Sequence, residues 1–155
     1  MNPTENITIR NAHLGDLEVL LRFEQGIIEA ERPYDTTIKP DPVSYYDLRE
    51  LLLSKEAAIM VAECAGLIVA SGFVRIKEAR HYLNHEKYAY LGFMYTRPSF
   101  RGSGINARII DALKDWALTK GLHEIRLTVY EDNSAAIRAY EKYGFKKHLI
   151  EMRLG

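Results

Sequence analysis

Apolar and polar positions repeat with two different periods along this 155-residue chain, and the changes of period mark out its elements. Ile7-Thr8-Ile9-Arg10 alternates with the period of two that a strand requires. Leu14, Leu17, Leu20, Leu21, Phe23, Ile27 and Ile28 then lie close to one helical face, with Asp16 and Glu18 near the start where the dipole favours acids; this predicts a helix over 15–30. Arg32-Pro33-Tyr34-Asp35 ends it, and Pro40 and Pro42 hold the chain extended before a second helix over 43–54. Two β-rich runs, 59–63 and 67–74, flank Cys64-Ala65-Gly66 and predict a hairpin. A polar loop over 78–87 leads into an aromatic strand over 88–96.

The second half changes rhythm. Ile105, Ile109, Ala112, Leu113, Trp116 and Ala117 fall at helical spacing, and Lys120-Gly121 supplies a basic last turn and a glycine stop. A strand over 123–130 places Ile125, Leu127 and Val129 on one face. A helix over 133–143 ends at Gly144, and a last strand covers 145–154. The order predicts a mixed α/β (α+β) fold: a mostly antiparallel central sheet of about six strands with about four helices, its second half containing a parallel crossover.

Composition narrows the function. The length suits a single domain over 1–155 that buries a core without disulfides or structural metal. Twenty-one basic residues balance 21 acidic ones, so the surplus that nucleic acids or anionic membranes demand is missing. The single cysteine, Cys64, reads as a buried strand thiol in a reducing compartment. Met1 to Asn6 lack a signal-peptide layout, and no apolar run approaches the ~20 residues that span a bilayer, so a cytoplasmic location is expected.

Candidate chemistry concentrates at Arg97-Pro98-Ser99-Phe100-Arg101-Gly102-Ser103-Gly104-Ile105-Asn106. Gly102 and Gly104 let backbone approach a ligand, and the helix that starts there offers unpaired N–H groups and a positive dipole end. Arg97, Arg101 and Arg108 face no acid between 97 and 110. The loop is therefore suited to a pyrophosphate, against the plainer reading of a glycine turn before a solvated helix. Gly102 to Ala107 also match a dinucleotide fingerprint with Glu131 after the next strand. Against that, residues 97–101 separate the strand from the first glycine, and only 24 residues follow Glu131, too few to complete a doubly wound sheet.

The run from Met94 to Ile105 resembles the acetyl-CoA-binding motif of the GNAT superfamily of N-acetyltransferases, with its apolar strand end, proline, aromatic residue and R-x-x-G-x-G/A loop. Asn133 to Phe145 is similar to the same family's N-x-x-A-x-x-x-Y-x-x-x-G-F signature. The resemblance covers residues 88–147 and implies acetyl transfer from acetyl-CoA, as cosubstrate, to a primary amine by direct attack in a ternary complex. It implies that the backbone of Met94, Tyr95 and Thr96 pairs with the pantetheine arm and polarises the thioester. Arg101, Gly102, Ser103, Gly104, Ile105 and Asn106 would hold the pyrophosphate, Asn133 would contact the cofactor arm, and Tyr140 would protonate the departing thiolate. Preorganised N–H donors suit the oxyanion that such an attack builds. Asn133 and Tyr140 are seven residues apart, close to two helical periods, so both can face one ligand.

Two departures stand out. Asn106 replaces the loop's usual glycine or alanine, and Gly92 and Thr128 stand where family members often carry a glutamate base. Tyr90, His81, His85, Glu86, Glu29, Glu31, Tyr34 and Asp35 remain candidate bases without distinction among them. His81 and His85 lack helical support for a metal site, and no metal is expected. Between 29 and 50, six acids outnumber Arg32, Lys39 and Arg49, an acidic rim suited to a cationic amine or simply a solvated surface. An edge strand with Tyr45, Tyr46 and Tyr88 is compatible with a homodimer. A non-catalytic acyl-CoA-binding module is the alternative from another class, and a nucleotide-dependent enzyme a third.

Overall fold

The computed structural model describes residues 6–155, so the leader reading at Met1 to Asn6 falls outside it but for Asn6. Strands β1 (Ile7–Asn11), β2 (Ala57–Cys64), β3 (Leu67–Glu78), β4 (Lys87–Thr96) and β5 (Ile125–Arg126) form one sheet in the order β1-β2-β3-β4-β5. The first three pairings are antiparallel and β4–β5 is parallel. A sheet with one parallel pair is not the doubly wound sheet that the dinucleotide reading needs.

Helices α1 (Leu17–Glu31) and α2 (Leu48–Leu53) lie on one face, α3 (Ile105–Thr119) and α4 (Ser134–Tyr143) on the other. β2 shows why both faces are covered. Its alternate residues go to opposite cores, Ile59 and Val61 against Leu20, Phe23, Leu48 and Leu51, Met60 and Ala62 against Ile105, Ile109 and Leu113. A strand buried on both sides reads as a continuous apolar run.

The differences from expectation have local causes. α1 is preceded by a tight turn at Leu14–Asp16 and starts two residues late. Residues 43–47 are not helical, because the buried Glu24 carboxylate accepts the Ser44 hydroxyl at 3.2 Å and the Tyr45 and Tyr46 N–H groups at 3.2 and 2.8 Å. β5 keeps two paired residues of the eight expected. The strand expected over 145–154 is not formed, which leaves five strands among the described residues where about six were expected. After Gly144, Phe145 packs against Tyr140 and Tyr143, but Leu149, Ile150, Met152 and Leu154 are exposed. Alternation supplies propensity, and only a paired neighbour makes a strand.

Cys64 is half-buried at the end of β2 rather than in the core. Tyr46 packs edge-on against Phe73 and Phe93, and Tyr88 lies beneath Arg126, so neither belongs to an exposed aromatic patch.

Candidate active site

The site grows from a defect in β4. Its pairing with β3 loses register beside Gly72, and Phe93 adopts a φ of 58°, a left-handed backbone rarely taken by a bulky residue. Ser71 donates to the Phe93 carbonyl at 3.2 Å, bracing the bulge. β5 pairs with β4 only at Ala89–Ile125 and Tyr90–Arg126, so Met94, Tyr95 and Thr96 line a strand edge that β5 does not pair. A narrow acyl arm could add to that edge by backbone hydrogen bonds.

At the end of β4, Pro98–Phe100 form one tight turn, and Gly102 and Gly104 take φ values of +79° and +82°. Nothing lies within 4 Å of the side-chain position of either glycine, so the loop backbone is bare in front of the first turn of α3. Ile105 is buried, whereas Asn106 is half-exposed on that turn. The arginines are not equivalent. Arg97 donates to the Ile68 carbonyl at 2.8 Å and lies over Phe23, and Arg108 donates to the Ile7 carbonyl at 3.0 Å. Arg101, exposed over Tyr95, is tied by one nitrogen to the Thr96 carbonyl and keeps further donors for an anion.

Asn133 caps α4 by accepting the Ala136 N–H at 3.2 Å through its carbonyl oxygen, which leaves the amide nitrogen as a donor. Tyr140 packs against the α3-side core and edge-on to Phe145. Burial first, then the Glu31 carboxylate and Tyr90, pushes its phenol up to about 12.

The acidic rim resolves into separate jobs. Asp41 pairs with Arg32 at 2.9 Å, Asp47 caps α2, and Glu29 and Glu50 are exposed. Asp35 accepts Thr37 and the Tyr130 hydroxyl, the latter at 3.0 Å, and these bonds hold it below the usual carboxylate range. Glu31 is raised by burial, an effect partly offset by Tyr45. It also acts electrostatically on Tyr45, Tyr46 and Tyr130. Tyr34 stacks on Tyr130 with centroids 6.1 Å apart, completing an aromatic wall.

Three of the remaining candidate bases lie well before the bulge. His81, His85 and Glu86 occupy the loop before Lys87, and the six residues from there to Phe93 span ~20 Å of strand. Tyr90 shares a 2.7 Å hydrogen bond with Thr128. The anchoring role of Glu24 is absent from the sequence reading, although a signal existed. It lies four residues after Leu20 and four before Ile28, on the apolar stripe of α1, and Glu31 follows it by two helical turns.

Among the described residues, no group of three His, Cys, Asp or Glu side chains is placed to hold a metal, and no helix is long and apolar enough to cross a membrane.

A bulged central strand, a parallel neighbour that stops short of the bulge and a glycine loop before a helix follow one another along the second half of β4 and into α3. The model of the acetyltransferase (GNAT) family matches residues 25–145, and the chain belongs to that family. Thialysine N-epsilon-acetyltransferase of Bos taurus is 38% identical over 55 residues, which is 36% of this chain and 32% of that relative's length, so the chain matches only about a third of that protein. Aminoglycoside N(6')-acetyltransferase type 1 of Salmonella typhimurium is 26% identical over 70% of this chain and 75% of its own. In fold, the chain superposes on a predicted acetyltransferase of Clostridium acetobutylicum crystallised with acetyl-CoA, with a TM-score of 0.75, 21% identity and 96% of each chain covered.

Proposed function

We propose that the protein transfers the acetyl group of acetyl-CoA to a primary amine of a small cationic molecule, by direct attack in a ternary complex. The observation that carries this reading is the edge of β4 beyond Tyr90, which β5 leaves unpaired, followed by a bare glycine loop before α3. The small-molecule acceptor of the Salmonella relative supports a soluble amine over a protein terminus.

In this mechanism, Arg101 and the backbone from Gly102 to Asn106, with Ser103 and Ile105, hold the pyrophosphate at the start of α3. The pantetheine arm pairs along Met94, Tyr95 and Thr96, and Asn133 donates to it from the facing helix cap. An N–H of the bulge polarises the thioester carbonyl, stabilising the oxyanion as nitrogen attacks carbon. The C–S bond then breaks, and Tyr140 gives its proton to the sulfur. A phenol raised to about 12 is fully protonated near neutrality, as an acid in that role must be.

Isothermal titration with acetyl-CoA and a kinetic screen of amines test the reading. Tyr140→Phe is expected to lower kcat by about 10²-fold while leaving acetyl-CoA affinity within about twofold. Tight acetyl-CoA binding with no acetylation across acidic, neutral and basic amines would instead identify a non-catalytic binding module.

A further inference from the structure

We propose that Glu24 is a positioning residue for the thioester site: it holds Tyr46 against the bulged residue Phe93 and so fixes the backbone whose N–H polarises the thioester carbonyl. The inference rests on the acetyl-transfer reading and deepens it by naming what keeps the bulge in shape.

The bulge needs support from both faces of the sheet. Between the paired residues Ser71 and Tyr95, and Phe73 and Gly92, Gly72 of β3 stands opposite two residues of β4, Phe93 and Met94. Phe93 takes a left-handed backbone with φ 58°, which a bulky residue keeps only where its surroundings over-determine it. On the α3 side, a side chain at Gly72 would start 2.6 Å from the Met94 sulfur and 2.7 Å from Ile109, so Met94 fills the notch that glycine leaves. Ser71 holds the Phe93 carbonyl. On the α1 side the Phe93 ring is buried, and Tyr46 packs edge-on to it with centroids 5.8 Å apart. Tyr46 is also edge-on to Phe73 at 5.1 Å. Phe73 in turn fills the space over Gly92, where a side chain would start 2.7 Å from two of its ring carbons.

Tyr46 belongs to no helix or strand that could hold it there. Helix α1 does so instead. Gln25 donates to the Val43 carbonyl at 2.9 Å. Next to it, Glu24 accepts the Ser44 hydroxyl through one carboxylate oxygen and the Tyr45 and Tyr46 N–H groups through the other. Glu24 is 0% exposed and sits on the apolar stripe of α1 between Leu20 and Ile28, a place ordinarily filled by an aliphatic residue. A carboxylate is costly to bury unless it is hydrogen-bonded, and these bonds all go to residues 44–46, the stretch that ends on the ring touching Phe93. Removing the carboxylate strands two backbone N–H groups and frees that ring.

The consequence is kinetic. Amides fixed before the reaction stabilise an oxyanion without reorganising. A bulge free to relax would still let the glycine loop hold the cofactor, but fewer molecules would meet the oxyanion in the competent geometry. Turnover suffers and affinity does not.

The test uses the full-length protein with butylamine, putrescine and neamine, reading kcat at saturation and acetyl-CoA affinity by titration. Tyr46→Leu and Glu24→Leu should each lower kcat about tenfold with the best amine and leave acetyl-CoA affinity within about threefold. The double variant should be no slower than the slower single one, because both act through one ring. Glu24→Gln should recover kcat to within about threefold of wild type, since its carbonyl oxygen can accept both N–H groups and its amide nitrogen can donate to Ser44. Should Glu24→Leu not fold, Glu24→Ala takes its place with the same expected loss. A merely structural glutamate would lower the melting temperature and leave kcat of the folded protein unchanged, and that result overturns the role. Losses that multiply in the double variant, a Glu24→Gln as slow as Glu24→Leu, or an unchanged kcat in Tyr46→Leu overturn it equally and leave acetyl transfer standing. A wild-type protein that binds acetyl-CoA yet acetylates none of these amines overturns both.

Discussion

Asp16 shows how one residue can join two elements. It is 5% exposed, accepts two N–H groups of Arg10 at 2.8 and 3.0 Å, and accepts the His13 N–H at 2.9 Å. Arg10 also donates to Glu63 at 3.1 Å, so one guanidinium links β1, β2 and the turn that opens α1. The hydrogen bonds from Arg10 are the main reason the Asp16 carboxyl lies below its usual range. A lowered folded pKa means the stabilisation is present above the unfolded pKa and is lost as pH falls through the folded one. Asp16→Asn should therefore cost about 2 kcal/mol in urea unfolding at neutral pH, and the difference from wild type should shrink once pH drops below about 4. Glu31 has the opposite sign. Its raised pKa favours the protonated form in the folded state, so its contribution is lost as pH rises through the folded value.

At the scale of elements, the glycine loop carries a prediction that separates stability from binding. Gly102 and Gly104 hold positive φ with open space around them, so alanine at either site meets strain and no clash. Each substitution should cost about 1 kcal/mol of stability. If the loop backbone cradles the pyrophosphate, acetyl-CoA affinity measured by titration should fall at least about tenfold, since the new methyl would occupy the ligand's side of the loop. That loop, and the Asn133–Tyr140 spacing, were legible in the sequence because local geometry alone determines them. The Tyr130–Asp35 hydrogen bond was not, because it joins the turn after α1 to the segment after β5 and no local period encodes that meeting. The length of β5 was equally hidden, since Leu127 and Val129 look like strand residues whether or not β4 continues beside them. The expected helix over 43–54 forms only from Leu48 to Leu53, and its first five positions are lost to Glu24, whose buried carboxylate claims the N–H groups of Tyr45 and Tyr46.

For the whole molecule, zero net charge conceals separation. Arg101 stands exposed beside the bare glycine loop, whereas the exposed acids Glu29, Asp41, Asp47 and Glu50 gather on the segment from 29 to 50. Acetyl-CoA affinity should thus weaken several-fold when salt is raised from about 50 to about 500 mM, despite the neutral protein, because the field is local. The filled space at Gly92 has an evolutionary meaning as well. Gly92→Glu alone would drive a charged side chain into the Phe73 ring, and Phe73→Ala alone would open a cavity costing about 3–5 kcal/mol. Made together, each change should relieve the other, so their combined penalty should be smaller than the sum by more than about 1 kcal/mol in a double-mutant cycle. A lineage holding Phe73 would thus have to cross an unstable intermediate before a glutamate could stand at position 92 on β4.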